Sequence, residues 1–379
     1  MLQRFIRIAS LMMIVAVLSA SLAAAQGTGL QEQLLGEPLG TPLGTLYNDV
    51  VAGPDGPVVF WSDGMLIYAA RWDGAAWQMI GDDAGVQDGM LESVAVGEDG
   101  SAVVTYLSAS EDGSTGELHA VMFDGTAWTP LGEKINLYAS GTYNFDEAVV
   151  MTAEGPVVAW REAEEFMQPD QLYVHRWDGT AWQPLGDGES LNNDPAQAVD
   201  LVALAAAPEG GVVLASDESG QTFVRRWDGT AWQMLPDVPE EGTVSLMRAA
   251  VGADGSIALY RYFEDGRHDV QQLAPDAAEW AALAGIEGTP GLSADSYLDE
   301  ADLRVAEDGS VLFAWSNGSS GTAGLARWNG SAWEAGEPVS FMPQPVSFKA
   351  STAIGADDSL TIARLNTGFL LEVAQYTGG

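Results

Sequence analysis

The sequence predicts an all-β fold built from seven copies of one unit, each with four antiparallel strands. A tryptophan-rich phrase recurs as RWDGAAWQMIG (71–81), MFDGTAWTPLG (122–132), RWDGTAWQPLG (176–186), RWDGTAWQMLP (226–236) and RWNGSAWEAGE (327–337). A second phrase precedes the first by about twenty residues and places an Asp-Gly or Glu-Gly between two apolar runs. Units of about 50 residues with four strands each are typical of a β-propeller, so we expect a seven-bladed one.

The second phrase supplies the first two strands of each unit. It reads VVAGPDGPVVFW at 50–61 and VVMTAEGPVVAW at 149–160, and two β-branched runs around such a turn predict a strand–turn–strand hairpin. The seven turn positions are Gly56, Gly100, Gly155, Gly210, Gly255, Gly309 and Asp358.

The tryptophan phrase supplies the third and fourth strands. In LYVHRWDGTAWQPLG, residues 172–177 form one strand and residues 181–185 return. If Asp178-Gly179 is a two-residue turn, Trp177 and Trp182 lie on the same face of the hairpin. Large flat side chains can fill the wedge between splayed blades, so this pattern predicts packing rather than a binding site.

The two ends of the chain predict how the ring closes. The sequence stops where a seventh tryptophan hairpin should begin, with Tyr376 in the place of its first tryptophan. Near the other end, LQEQLLGEPLG (30–40) carries the Leu-Gly tail of a fourth strand with no hairpin in front of it. We therefore expect this N-terminal strand to complete the last blade, with either Leu35-Gly36 or Leu39-Gly40 in register.

Residues 1–25 have the layout of a secretory signal peptide. Arg4 and Arg7 precede an apolar run, and Ala23-Ala24-Ala25 resembles a cleavage site. We expect cleavage after Ala25, a single propeller domain over residues 26–379, and a secreted, periplasmic or extracellular location. An uncleaved membrane anchor is the alternative. Without cysteine, the chain has neither disulfides nor the residue that carries a lipoprotein anchor.

The charge of the chain restricts its partners. Without Arg4 and Arg7, 13 basic residues stand against 54 acidic ones, a formal charge of −41. Such a surface repels nucleic acid and anionic membranes, so we expect neither nucleic-acid binding nor membrane insertion after signal cleavage. The composition fits a soluble monomer that tolerates concentrated salt, or one that attracts cations or cationic partners.

The same charge predicts a salt dependence of stability. Self-repulsion destabilises the folded state in dilute buffer, and salt screens it over a Debye length of about 3–10 Å. We expect the melting temperature to rise between low and molar NaCl in a thermal denaturation series. A flat or falling melting temperature would show that the acidic surface does not limit stability.

The Asp-Gly hairpins resemble the Asp-box of sialidase-like propellers and the outer hairpin of kelch repeats. An Asp-box has a Ser or Thr before the Asp and one more residue between the Asp and the aromatic residue than DGTAW has. Kelch blades have a Gly-Gly doublet after the second strand, which is missing after VVFW and VVAW. The resemblance, to secreted bacterial propellers, covers the whole mature chain but fits no catalytic subfamily. It implies the propeller fold only.

Catalytic patterns are weak in this sequence. His119, His175 and His268 stand at different distances from the outer tryptophan, so a metal site or triad built from them is not expected. No nucleophile motif, acid–base pair or cofactor motif is legible, so we predict no catalytic residues and no cofactor, and leave metal binding undetermined.

Candidate ligand-binding residues come from arginines and loop tyrosines. Counted along the sequence, Arg161, Arg261 and Arg364 share one column just past the second strands of blades 3, 5 and 7, and guanidinium groups suit anionic ligands. A structural role is the alternative, with Glu162 and Glu264-Asp265 as neutralising partners. Tyr143 and Tyr297 lie in long loops of the face on which propellers usually bind ligands, an expectation from fold analogy. Their rings suit stacking on a ligand, and packing within the loop is the alternative.

Together these features favour a protein that binds rather than catalyses. We expect a secreted binding module for a glycan or a cell-surface protein. The alternatives are a polysaccharide-active enzyme, sialidase-like or lyase-like, with an axial pocket, and a structural envelope protein.

Overall fold

The fold is a ring of seven blades, each a sheet of four antiparallel strands. The computed structural model describes residues 30–41, 44–81, 83, 89–110, 115–138, 147–165, 168–239, 241–292, 298–317, 320–341 and 350–378. Within these residues, no helix is both long and apolar enough to cross a bilayer.

The blades follow one another along the chain. Blade 1 contains β2 (Tyr47–Gly53), β3 (Gly56–Ser62), β4 (Ile67–Trp72) and β5 (Trp77–Met79). Blade 2 contains β6 (Met90–Val96), β7 (Ala102–Ala109), β8 (Gly116–Phe123) and β9 (Trp128–Pro130), and blade 3 contains β10 (Ala148–Thr152), β11 (Gly155–Glu162), β12 (Gln171–Trp177) and β13 (Trp182–Pro184). Blade 4 contains β14 (Val199–Ala206), β15 (Val212–Glu218), β16 (Gln221–Trp227) and β17 (Trp232–Met234).

The remaining blades repeat this order. Blade 5 contains β18 (Val244–Val251), β19 (Ile257–Phe263), β20 (His268–Leu273) and β21 (Ala281–Ala282). Blade 6 contains β22 (Glu300–Val305), β23 (Val311–Asn317), β24 (Thr322–Trp328) and β25 (Trp333–Ala335), with β26 (Val339–Ser340) also paired to β24. Blade 7 contains β27 (Ser351–Ile354), β28 (Leu360–Leu365), β29 (Leu371–Gly378) and β1 (Leu30–Leu34), and two short 3₁₀ helices span Pro208–Gly210 and Ile286–Gly288.

The hydrophobic core is divided among the junctions between blades. In the described part of the chain, each of seven apolar clusters joins two neighbouring blades. The cluster with Leu35, Val50 and Ala363 joins blade 7 to blade 1 and completes the circle. Because neighbouring blades cover both faces of each sheet, second strands such as β3 and β11 are buried on both faces.

The N-terminal strand closes the ring as predicted. β1 pairs with β29 from Leu30↔Gly378 to Leu34↔Ala374. The Leu35 amide then donates to the Val373 carbonyl at 2.9 Å, the bond that Ile80 and Leu185 make in blades 1 and 3.

Leu35-Gly36 is therefore the pair in register, and Leu39 forms an isolated bridge to Leu371 instead. Gly36 has φ +67°, and a Cβ there would lie 3.0 Å from the rings of Trp72 and Trp77. Any side chain at Gly36 would disturb this junction.

The outer hairpins bring their tryptophans together, although the turn is longer than expected. Trp177 pairs directly with Trp182, and their ring centroids are 5.6 Å apart. The connection is a four-residue loop closed by the Asp178 amide on the Ala181 carbonyl. The two-residue turn was wrong because the Asp178 carboxylate accepts the Thr180 and Ala181 amides and stabilises this wider loop.

The second tryptophan of each outer hairpin connects two blades. Its indole N–H donates to a backbone carbonyl beside the fourth strand of the preceding blade, at 2.6–2.9 Å. Among the described residues the pairs are Trp77–Leu35, Trp128–Ile80, Trp182–Leu131, Trp232–Leu185, Trp280–Pro236 and Trp333–Leu283. The repeated phrase thus encodes a packing contact between blades, as expected, and also a hydrogen bond that the sequence analysis did not predict.

Candidate functional site

An axial cavity of about 670 Å³ is the candidate site. The first strands of all seven blades line it. Each of these strands begins on what we call the loop face, which contains the crossovers between blades and the loops between second and third strands. The cavity is therefore positioned by the whole ring rather than by one blade.

Acidic residues from four of the seven blades line the mouth of the cavity at the loop face. Blades 1, 2 and 3 contribute Asp49, Glu92 and Glu147 near the beginning of their first strands, and blade 6 contributes Asp299 and Glu300. In blade 2 the pairing shifts between Leu91 and Ser93, so Glu92 lies in an irregularity of the strand. Bulges of this kind re-aim a side chain beside a site.

A basic residue from blade 5 lies among these carboxylates. The Arg248 guanidinium pairs with Glu300 and donates to the carbonyls of Ala301 and Met247 at 2.9 and 2.8 Å. Burial alone would lower the pKa of Arg248, but Glu300, and then Asp49 and Asp302, raise it above its ordinary value. The arginine thus remains a cation, fixed to blade 6.

One level of the first strands carries polar side chains that hold neighbouring blades together. Strand pairing aligns Asp49, Ser93, Arg248, Asp302 and Ser351 at this level. Asp302 of blade 6 accepts the Ile354 amide of blade 7 at 2.8 Å, and Ser93 of blade 2 accepts the Val149 amide of blade 3 at 3.3 Å. Polar contacts in the cavity wall therefore join blade 2 to blade 3 and blade 6 to blade 7.

Burial raises the pKa of Asp302 to about 6, and its bonds to backbone amides only partly offset this effect. Asp302 accepts the Leu303 amide as well as that of Ile354. Both bonds constrain its carboxyl group to a structural position.

The histidines lie outside the cavity, on third strands. His175 packs edge-on against Trp160, His119 stacks on Tyr106, and His268 stacks on Tyr262. Burial lowers the pKa of His175 to about 4, so this ring is neutral at pH 7. Within the described ranges no three His, Asp or Glu side chains are grouped closely enough to hold a metal ion.

The predicted arginine column is wrong in one member. The pairing of second with third strands shows which residues occupy the same position in different blades. Arg261 and Arg364 occupy the position that Trp61, Trp160 and Trp315 hold in blades 1, 3 and 6. Arg161 follows Trp160 by one residue and so lies outside this column. Successive residues of a strand face opposite sides, so Arg161 lies on the other face of its blade. None of the three arginines lines the axial cavity.

Each of these arginines has an acidic partner that precedes or lies on the third strand. Arg161 pairs with Asp170, Arg261 with Asp269 and Arg364 with Glu372. The neutralising residues suggested by sequence proximity, Glu162 and Glu264-Asp265, are not these partners. The antiparallel pairing decides the partner, because it places the third strand beside the second.

Arg364 also contributes to ring closure. Its guanidinium donates to Glu32 of β1 and to the Tyr376 hydroxyl at 3.2 Å each, and Tyr376 donates to Glu32 at 2.9 Å. Assignment of the three arginines to a ligand site stays a prediction. Tyr143 and Tyr297, the other two candidates, lie outside the described residues.

Sequence reasoning missed three acidic residues that position the loop face. Asp63, Glu162 and Glu218 occupy one column, two residues after Trp61, Trp160 and Ser216, and all three are buried. They hold the crossovers between blades: Asp63 accepts the Thr41 hydroxyl, Glu162 the Leu137 and Tyr138 amides, and Glu218 the Asn193 amide. The signal was an acid at a fixed position of the second strand, two residues after the level of Trp61 and Trp160.

A buried carboxyl group near Arg261 gives a testable pH dependence. Asp217 is 0 % exposed, and its Oδ2 has no hydrogen-bond partner among the described residues. Burial raises the pKa of Asp217 from 3.8 to about 6, although the Gly220 amide and Arg261 oppose the shift. Between pH 3.8 and about 6 the Asp217 carboxyl group is therefore protonated in the folded protein and ionised in the unfolded chain. The free energy of unfolding falls as pH rises through this window.

We expect Asp217→Asn to be more stable than the parent by about 3 kcal/mol above the window, because the amide carries no charge to bury. The advantage should vanish below the ordinary carboxyl pKa of 3.8. Urea unfolding on either side of the window measures it, with the exposed Asp265→Asn as control. A stability difference that does not change with pH would contradict the assignment.

Comparison with known proteins supports the fold alone. No protein-family model matches the sequence, and no curated protein matches it significantly. The β-propeller domain of the Trilobed protease from Pyrococcus furiosus, described as having an open velcro topology, is 11% identical over 89% of this chain and 94% of that chain, with a TM-score of 0.51.

Two further solved structures are similar to this chain. YCF48 bound to D1 peptide is 15% identical over 94% of this chain and 97% of that chain, with a TM-score of 0.49. The Aleuria aurantia lectin in complex with Fucα1-6GlcNAc is 12% identical over 77% and 94%, with a TM-score of 0.48. The strand pairing shows that the chain is a seven-bladed β-propeller. No family model or curated protein supports the kelch-like or secreted bacterial part of the resemblance.

Proposed function

We propose that the chain is an exported binding protein that holds a glycan or a protein partner on its loop face. The observation that carries this proposal is the axial cavity of about 670 Å³, to which all seven blades contribute and whose mouth is lined by carboxylates. Carboxylates accept hydrogen bonds from sugar hydroxyls and attract Lys and Arg side chains. The buried acids that fix the crossovers keep this face preorganised, which lowers the entropy lost on binding.

A polysaccharide-active enzyme is the second candidate, favoured by the raised pKa of Asp302 beside Glu300 in the cavity. Glycoside hydrolysis needs two carboxyl groups that can exchange protons with substrate and water. Here Asp302 is held by two backbone amides and Glu300 by Arg248. Their engagement supports a binding role over a catalytic one.

A screen of the mature chain tests the proposal. We expect a glycan array or a pull-down from cell surfaces to give a ligand whose affinity falls at least about tenfold in Glu92→Gln/Glu147→Gln. The charge-matched control is Asp276→Asn/Glu279→Gln, on exposed residues away from the cavity. Absence of any ligand, or binding that ignores the mouth variant, would contradict the proposal. Release of sugars from the bound glycan, lost in Asp302→Asn, would favour the enzyme.

Export is the second part of the proposal. The layout of residues 1–25 supports removal of a signal peptide after Ala25. We expect intact-mass spectrometry of the exported protein to give a chain that begins at Gln26. A mass that retains residues 1–25 would instead support an uncleaved anchor.

A further inference from the structure

From the apolar side chains on one side of the loop face, we infer a docking surface for a cationic protein segment that carries aliphatic or aromatic side chains. We call this surface the apolar sector and define it as Leu46, Tyr47, Met65 and Phe369. The inference rests on the proposed function, because it puts the partner on the same face, and it names that partner's chemistry.

Exposed apolar residues are concentrated in this sector. The four side chains are 56%, 46%, 56% and 49% exposed, and they are four of the nine exposed large hydrophobic residues in the described part of the chain. Apolar side chains gathered on a surface are typical of interaction sites, whereas scattered ones need no explanation.

Backbone contacts bring the sector together from three segments. The Thr45 amide donates to the Phe369 carbonyl at 2.9 Å, and the Leu46 amide donates to the Ser62 carbonyl at 2.8 Å. The Leu46 side chain lies over Gly64, where a Cβ would come within 2.8 Å of its Cδ1 atom. Leu46 is thus held beside Met65 in the blade 1 loop, and Phe369 is held from blade 7.

Phe369 is presented at a cost in backbone conformation. Its φ is +59°, in the left-handed region that Gly and Asn adopt more readily than aromatic residues. The turn around it is fixed by Asn366, whose Oδ1 accepts the Gly368 and Leu370 amides. The turn thus leaves 49% of this aromatic side chain exposed in a conformation that costs backbone energy, which favours a role in a binding surface.

The surroundings select a cationic partner. A shallow pocket beside the sector is lined by Tyr47 and Leu91 together with Asp49 and Glu92. The latter two also line the axial cavity, so the apolar sector borders the acidic mouth. Lys or Arg residues flanking an apolar anchor would meet these carboxylates, while the formal charge of −39 repels acidic proteins and anionic membranes.

Short synthetic peptides test the inference directly by fluorescence anisotropy at about 0.15 M NaCl. The probe carries Phe and Leu flanked by Lys and Arg. One matched peptide replaces Phe and Leu with Ser, and another replaces the cations with Glu. We expect only the probe to bind, with affinity reduced at least about tenfold by Phe369→Asn or Leu46→Ser.

Phe369→Asn is the decisive variant because Asn tolerates a positive φ, so the protein should be at least as stable while binding is lost. Met234→Ser on an outer strand is the control, since Met234 has the same 49% exposure as Phe369. Equal binding of the Ser peptide, or undiminished binding by Phe369→Asn, would overturn the inference. Capture by phosphatidylcholine vesicles that depends on Phe369 would also overturn it, in favour of a membrane surface.

The outcomes distinguish failure of the docking inference from failure of the proposed function. If Phe369→Asn binds normally a ligand found by array or pull-down, and the probe peptide does not bind, the docking inference alone is wrong. If no ligand is found by either route, both are wrong.

Discussion

Deletion of residues 30–39 is expected to lower the free energy of unfolding by more than about 5 kcal/mol. The deletion removes Leu35, which is 2% exposed, together with the strand that pairs with β29. It also removes the acceptor of the Trp77 indole and the Glu32 partner of Arg364 and Tyr376. A typical domain has a margin of only about 5–15 kcal/mol, so the shortened protein should unfold at much lower urea concentration or fail to fold.

The control for this deletion is Leu34→Ser in the same strand, where the side chain is 53% exposed. Its effect should stay within about 0.5 kcal/mol. Urea unfolding and thermal denaturation measure both variants. A deleted protein that unfolds at the same urea concentration and temperature as the parent would refute closure by β1.

Replacement of Arg261 by Gln should cost about 3–5 kcal/mol, because it leaves buried groups without their cation. The Arg261 side chain is 0% exposed and donates to Asp269, to the Thr222 hydroxyl and to the Pro239 carbonyl. Its guanidinium also lies 5.0 Å from the centre of the Phe263 ring. Gln is too short and neutral to restore these contacts.

Arg267→Gln is the matched control, since Arg267 contacts the same Phe263 ring but is 39% exposed with an exposed Asp265 partner. A change within about 0.5 kcal/mol is expected there. Arg261→Gln with parental stability in urea would refute a structural role for the buried guanidinium.

The triple Gln variant of Arg161, Arg261 and Arg364 tests the sequence-based ligand site. Intact stability with lost binding to uronate or sialate glycans would support that site. The acidic partners of all three residues lead us to expect lost stability instead.

Repetition made most of the fold predictable. Gly56 and its six counterparts mark the first hairpins, Trp177 and Trp182 mark the outer hairpin, and Tyr376 marks the missing strand at the end of the chain. These residues carry local information, since turns and strand alternation depend on near neighbours in sequence. The register of Leu35-Gly36 could not be predicted from near neighbours in sequence, because it depends on contacts with blade 1 that are made only after the ring closes.

The candidate site was less predictable for the same reason. The cavity mouth combines Asp49, Glu92, Glu147 and Glu300 from blades far apart in sequence, and 54 acidic residues give no local reason to select them. Arg161 was misaligned because a column counted from sequence ignores which residue pairs with the third strand. The repeated acid column of Asp63, Glu162 and Glu218 could have been found from its offset, since it follows the repeat.

Closure by β1 also has a consequence for the order of folding. Glu32 and Tyr376, which meet within blade 7, are separated by 344 residues in sequence. Contacts of such long range are slow to form, because nearly the whole chain must be ordered before its ends can meet. We therefore expect blades 1 to 6 to assemble through near-neighbour contacts while β29 still has an open edge. The early-synthesised β1 must then stay unpaired until β29 is available. During this interval the chain is most prone to aggregate through the open edge of β29.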